Sequence, residues 1–399
     1  MRISFPKDWQ DCLTEDAFDR VVNPVDVDPH RLYTEIGIRS HGKGLFKKPP
    51  IEGKSLGEKR VFWVEPNCLV LNIIFAWEQA VARTTPNEKG MIASHRFPMF
   101  RPKDNVIDLD FALYFFKSKW GKKLLEIGSP GGAGRNKTLS QKEFDELPLC
   151  LPPFAEQRRI AAVLGAWDEA IDRTECLIAV HHRRKAALAQ KMFANLSKRP
   201  LLEAAEVWFS GVDKKTRAGE APVLLCNYMD IFHNSRITSQ VRFMQATASR
   251  SQITSNSLRK HDVVFTKDSE TSQEIAEPAL IDEQIDNLVC GYHLAIARPR
   301  KGIAYGPFIA QAMRHPAIRW QFSRLANGVV RFGLTLDAIE QAEIFLPPVQ
   351  LQKKIAAVLD AEDVVVEDLA KQANLLRTQK RGLMQKLLVG ERRLGESFE

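Results

Sequence analysis

The 399-residue sequence predicts an α+β fold: two mixed α/β globules separated by two long antiparallel coiled-coil helices, arranged as a pseudo-twofold internal repeat. Three observations predict it. The run Leu151-Pro152-Pro153-Phe154-Ala155-Glu156-Gln157-Arg158-Arg159-Ile160-Ala161-Ala162-Val163-Leu164 returns as Leu346-Pro347-Pro348-Val349-Gln350-Leu351-Gln352-Lys353-Lys354-Ile355-Ala356-Ala357-Val358-Leu359. Each copy opens a heptad pattern of mostly apolar residues, and each follows a segment of roughly 150 residues rich in short β-type runs and turns. A repeat of this length means that one structural unit is built twice.

In chain order, residues 1–150 form the first globule, with strands expected at 61–64 and 69–75. Residues 151–197 form the first long helix. Pro152 and Pro153 suit its start, because proline lacks only an amide that would be orphaned there. Ile160, Leu164, Trp167, Ile171, Thr174, Ile178, His181, Lys185, Leu188 and Met192 then fall at alternating steps of four and three. Glu156 lies early and Arg183-Arg184-Lys185 late, as the macrodipole favours, and Pro200 marks the end. From residue 153 to 195 such a helix would be roughly 64 Å long at ~1.5 Å per residue. Residues 198–345 form the second globule, with strands expected at 262–266 and 294–298. Residues 346–399 form the second helix and a tail. Its seam runs Ile355, Leu359, Glu362, Val366, Leu369, Ala373, Leu376, Lys380, Leu383, Leu387, with Gly390 at the end. Two matching seams bury each other most economically as an antiparallel pair, and their polar members His181, Lys185 and Lys380 are placed to set register or to meet a partner.

Composition narrows the function. The chain carries 57 Lys and Arg against 49 Asp and Glu, a net charge of +8, with 44% hydrophobic residues, which excludes a wholly disordered or fibrous protein. The longest apolar stretch, 61–77, is broken by Glu65, Pro66, Asn67 and Asn72 and falls short of the ~20 residues that span a bilayer. No apolar run follows the first residues, so a signal peptide is not expected and a cytoplasmic chain is. Six scattered cysteines fit reduced, mostly buried thiols better than a zinc site or disulfide framework. The basic excess attracts polyanions, and nucleic acid is the first partner to consider.

Candidate DNA-binding residues follow from chemistry. Lys43, Lys47 and Lys48 lie in loops of the first globule, and a glycine-rich run leads into Arg135 and Lys137, residues suited to a DNA backbone. No Lys-Ser or Lys-Thr follows that run at P-loop spacing. In the second globule Lys267, Ser269, Thr271 and Gln273 close a strand, while Asn72, Trp77 and Gln79 hold the matching place in the first. Arg331 joins the set. Asn and Gln read adenine, Arg and Lys read guanine, and Ser or Thr serve either edge. Signatures of chemistry are missing: there is no Asn-Pro-Pro-aromatic or Asp-Pro-Pro-aromatic tetrapeptide and no dinucleotide fingerprint. Glu52-Gly53-Lys54 with Asp28 only loosely imitates a nuclease metal site. His30, His41 and His95 have no nucleophile in a recognisable motif. No catalytic residue, metal or bound cofactor is expected in this chain.

The repeated Leu-Pro-Pro block with Glu156-Gln157-Arg158-Arg159-Ile160-Ala161, the start Phe5-Pro6-Lys7-Asp8-Trp9, and residues 262–266 ahead of Glu270 and Thr271 resemble the specificity (S) subunits of type I restriction-modification enzymes. The resemblance covers essentially the whole chain, although the second copy has Leu351 where that family carries Glu. It implies two target-recognition domains, each reading one half of a split double-stranded DNA target at a spacing fixed by the helices. It further implies two modification (methyltransferase) subunits using S-adenosylmethionine, and restriction subunits, where present, using ATP and Mg²⁺. Glu156, Gln157, Arg158, Gln352 and Lys353 are the expected partner-binding residues. Two alternatives from other classes are a stand-alone nuclease or methyltransferase and a coiled-coil scaffold.

Overall fold

The computed structural model describes residues 5–131 and 137–394. Two compact units result: Met1–Glu175 with Lys371–Glu399, and Cys176–Ala370. Both divisions fall inside the long helices, Phe154–Phe193 and Val349–Leu387. Each unit therefore owns the first half of one helix and the last half of the other.

Unit one is built on an antiparallel sheet in the order Phe18–Val21, Met99–Pro102, Leu69–Leu71, Val81–Arg83. Leu69 and Leu71 turn one face onto Phe111, Phe115, Phe116 and Leu124 of the helices Leu109–Lys117 and Lys119–Ile127. Those helices start where sequence chemistry dictates, since Asp108 accepts the Phe111 amide and Ser118 the Gly121 amide. Ile160 and Leu164 of the first long helix and Leu387 and Leu388 at the end of the second enter the same core. Burying each such side chain contributes roughly 1.5–3 kcal/mol. The strand expected over 69–75 stops at Leu71, because the Asn72 side chain accepts the Ile74 amide at 3.1 Å and turns the chain.

Unit two has a five-stranded sheet in the order Ala205–Phe209, Leu294–Pro299, Val263–Thr266, Pro278–Ile281, Arg236–Ile237, the last pair parallel. A separate three-stranded sheet runs Met244–Ala248, Ala221–Cys226, Leu288–Cys290. Phe265, Phe308, Met313 and Phe322 form the main core together with Phe193, Ile355 and Leu359 of the long helices. Register confirms the repeat: Val70 stands opposite Met99 in unit one, and Val264 opposite Ile296 in unit two.

Every described seam residue of the two long helices is buried or half-buried. Within unit one, Asp168 pairs with Lys380 and Glu175 with Arg377, so partners descend along one helix as they rise along the other. Within unit two, Lys185 reaches Asp363 at 2.5 Å and His181 Nδ1 lies 2.8 Å from Glu362. Asp168 and Asp363 are repeat partners, as are Lys185 and Lys380. One ion pair is thus made twice with its roles exchanged, and the polar seam residues are consumed internally.

The Leu-Pro-Pro block has a definite mechanical role. Gln157 Nε2 donates to the carbonyls of Val106 and Pro152, at 2.9 and 3.0 Å, while its Oε1 accepts the Asp108 amide at 2.9 Å. Gln352 repeats this on Ile303, Pro347 and Tyr305, at 2.9, 2.7 and 2.8 Å. Each glutamine ties the first turn of a long helix to the loop that caps a helix of the globule behind it. Glu156 is buried, and both its oxygens meet Arg393, which also grips Asp8. Leu351, at the Glu156 position of the second copy, is exposed.

His315 gives unit two a pH response. Its Nδ1 accepts the Ala317 amide at 3.2 Å, a role that only the unprotonated ring fills, and its ring lies among Phe193 and Phe345. Burial first, and then Lys198, lower its pKa from the ordinary 6.5. The folded state therefore binds the proton less readily than the unfolded state. Stability contributed here is complete above pH 6.5, falls as pH drops below it, and levels off once the folded ring titrates. Thermal melts at pH 7.5 and 5.5 should show a smaller acid loss for His315→Asn than for the parent. An equal loss in both would remove His315 as the cause.

Candidate nucleic-acid interface

The repeat builds one backbone frame twice, and each unit carries a hollow beside it. In unit one the Ile73 amide donates to Arg96 O, and Ile73 O accepts the Leu139 amide at 2.9 Å. In unit two the Lys267 amide donates to His293 O, and Lys267 O accepts the Leu334 amide, also at 2.9 Å. A strand end is thereby clamped between a turn and the loop that precedes a short helix, capped by Ser140 in one unit and by Thr335 in the other.

The hollows beside this frame are lined by residues at different repeat positions. In unit two a cleft of about 480 Å³ is walled by Lys214, Tyr228, Phe232, Ser269, Glu274 and Arg331. A second hollow of about 220 Å³ shares Lys214, Tyr228 and His293 with it. His293 Nδ1 lies 2.9 Å from Asp268, and Ser269 Oγ donates to Glu274 at 2.9 Å. Burial raises the Asp230 pKa on the cleft helix Tyr228–His233, opposed by the Asn227 amide. In unit one a hollow of about 200 Å³ is lined by Arg20, Ile73, His95, Thr138 and Phe144. Polar side chains over aromatic and aliphatic walls can hydrogen-bond base edges, and the rim cations can hold phosphates.

The expected residues divide. Arg331 is exposed at the unit-two cleft, Thr271 and Gln273 are exposed beside it in sequence, and Lys43 is exposed in a turn whose amides donate to Glu78 and Gln79 carbonyls. Lys137 lies over the Trp77 ring at 5.1 Å, and the Trp77 indole N–H donates to Ile74 O. Lys47 is exposed, with its ammonium near Asn87 O. Arg135 lies outside the described residues.

Several expectations are corrected. Asn72 is buried and holds its own turn. Gln79 donates to the carbonyls of Phe116 and Ser118, at 2.9 and 3.1 Å, and clamps two helices rather than facing a base. Lys48, with Lys59, neutralises the buried Glu35 carboxylate. That pairing, working against burial, lowers the Glu35 pKa. Ser269 lines the cleft but is 5% exposed, with its hydroxyl committed to Glu274. Lys267 is enclosed by Phe209, Tyr292 and Asp268. Glu156, Gln157 and Gln352 are buried in contacts of their own unit and so present no side chain to a partner, whereas Arg158 and Lys353 are exposed. The Glu52-Gly53-Lys54 segment runs from the strand Ile51–Glu52 into the 3-10 helix Gly53–Leu56; a Cβ on Gly53 would meet Asp28 O at 2.0 Å, and Lys54 pairs with Glu52. Cys12 and Cys150 are pushed up to about 11 and about 12, chiefly by burial, and Cys176 is exposed.

Lys214, Tyr228, Phe232, Tyr292 and His293 in unit two, and Arg20 and His95 in unit one, are new to the site. Extending the register that matches Met99 with Ile296 a few residues upstream pairs His95-Arg96 with Tyr292-His293 and would have found the turn.

Residues 70–180 match the family model described as the type I restriction modification DNA specificity domain. Over this stretch the chain is similar to the type I DNA specificity family. Among curated relatives, the putative type I restriction enzyme MjaX specificity subunit of Methanocaldococcus jannaschii is 25% identical over 314 residues, covering 74% of this chain and 71% of the relative. The HsdS subunit of Thermoanaerobacter tengcongensis aligns over 98% of both chains with a TM-score of 0.50 at 16% identity. The type I S subunit of M. genitalium aligns over 97% of this chain and 98% of that one, at 0.61 and 14%. A chain from a study of type I R-M complex assembly and conformational transition aligns at 0.59 and 16%, over 98% and 100%. These structural likenesses show that the specificity-subunit fold extends along nearly the whole chain. No helix among the described residues is long and apolar enough to cross a membrane.

Proposed function

We propose that this chain is the sequence-specific DNA-binding subunit of a type I restriction-modification complex. Each globule reads one half of a bipartite duplex target, and the paired long helices set the spacing and dock two methyltransferase subunits. The observation that carries this reading is the twice-built backbone frame, Ile73 with Leu139 and Lys267 with Leu334, beside which the two units carry hollows lined by different side chains. Two readers of one design and unlike lining are what an asymmetric split target requires. Arg158 and Lys353, exposed at matching positions on the two helices, offer equivalent footholds to two copies of one partner. Methyl transfer with S-adenosylmethionine, and cleavage with ATP and Mg²⁺ where restriction subunits are present, belong to those partners, and the chain itself is non-catalytic. The complex works in the cytoplasm.

Mapping methylated adenines across the host genome before and after deleting this chain tests the reading. A bipartite motif that disappears on deletion is the expected result, and methylation left unchanged would refute it. Inserting one helical turn into both long helices should lengthen the preferred gap between half-sites by about one or two base pairs, since readers engage the groove about one turn, ~34 Å, apart. Methylation of duplexes with graded gaps measures this, and an unaltered preference would remove the helices as the spacer.

A further inference from the structure

We infer that Val329 and Val330 form an apolar finger that unit two inserts against the bases of its DNA half-site. The inference rests on the proposed function and names the residues that would contact the bases. Val329 is 92% exposed and Val330 85%, the most exposed of the large apolar side chains described. They cap a loop whose base is fastened: Asn327 and Gly333 exchange both backbone hydrogen bonds at 2.9 Å, and Phe332 pairs with Ser269 in register. Gly328, with φ at 143°, makes the bend; a Cβ there would lie 1.9 Å from the Arg331 carbonyl oxygen. The tip is therefore held out into water by a closed frame.

The surroundings identify the occupant. Arg331 follows the valines and lines the cleft with Lys214, while Lys215 beside it is exposed. Of the cleft carboxylates, Asp268 is engaged by His293 and Glu274 by Ser269, while Glu270 is exposed and able to accept from a cytosine amine. Cations flanking an apolar tip match a polyanion whose interior is apolar. Valine has nothing to offer a phosphate, but it fits a thymine methyl or the face of an opened base step. Short branched side chains on a fastened loop also lose little freedom on binding. The loop thus divides its labour, with Arg331 holding the backbone and the valines reading the interior.

The test uses the full chain with its modification subunits, on duplexes recovered by selection from a random pool. Val329→Ser with Val330→Ser should weaken binding of the selected duplex about tenfold or more. It should leave random-duplex binding, the salt slope and the melting temperature unchanged. Val329→Ile with Val330→Ile should keep most of the affinity. Arg331→Ala should weaken both duplexes and reduce the salt slope by about one. Equal loss on selected and random duplexes, no loss at all, or failed assembly with the modification subunits at intact DNA binding would each overturn the finger. If selection with the parent complex returns no preferred sequence, the proposed function falls first, and the finger with it.

Discussion

Replacing Gln352 by alanine should lower the stability of unit two by roughly 3–5 kcal/mol, because three buried backbone groups lose their partner. Gln352 is fully buried, and its side chain joins Tyr305, Ile303 and Pro347 to the start of the second long helix. Gln157→Ala should cost unit one a similar amount, through Asp108, Val106 and Pro152. Gln352→Glu keeps the acceptor but sets a carboxylate oxygen against the Ile303 and Pro347 carbonyls, and should cost at least as much as alanine. Urea unfolding of the full chain measures all three. A loss near 1 kcal/mol for both alanine variants would mean that the glutamines merely fill space.

The second large effect is expected at Asp262. Its carboxylate is 2% exposed and takes both arms of Arg298, at 2.9 and 2.7 Å, together with the Arg259 amide at 2.9 Å. Arg298 in turn lies over the Trp208 ring at 5.0 Å. Asp262→Ala strands a largely enclosed guanidinium and should cost about 3–5 kcal/mol, whereas removing both charges in Asp262→Leu with Arg298→Met should recover most of that. Unit one supplies a contrast. Glu65 and Arg101 sit 3.8 Å apart with the guanidinium mostly exposed, so breaking that pair by Arg101→Ala should cost no more than about 1 kcal/mol. A double variant as unstable as Asp262→Ala would show that the loss comes from packing rather than from an uncompensated charge.

The Gln clamps also show what a sequence exposes and what it hides. The repeat, both long helices, their seams and the central strands were legible, because periodic burial leaves periodic residues. The role of Gln157 and Gln352 was not. A polar residue one turn into a helix reads equally well as a surface contact or as a buried tie, and only the carbonyls of Val106 and Ile303, far off in sequence, decide between them. Gln79 and Asn72 were misplaced for a related reason: chemistry that suits a base edge suits a backbone carbonyl or amide just as well. Arg331 was legible by type. Tyr292, His293 and the valine tip escaped because the turn and loop that carry them have no period, and exposure of an apolar pair is a property of the fold.

The ownership of the helices has a consequence for synthesis on the ribosome. Cys176–Ala370 is a continuous stretch of chain, but Met1–Glu175 completes its core only with Leu387 and Leu388 and its Glu156 contact only with Arg393. The half that is translated first is therefore the half that closes last. It must wait, with an unfilled apolar notch, while more than two hundred further residues emerge, so the nascent chain is most prone to misassociate during that interval.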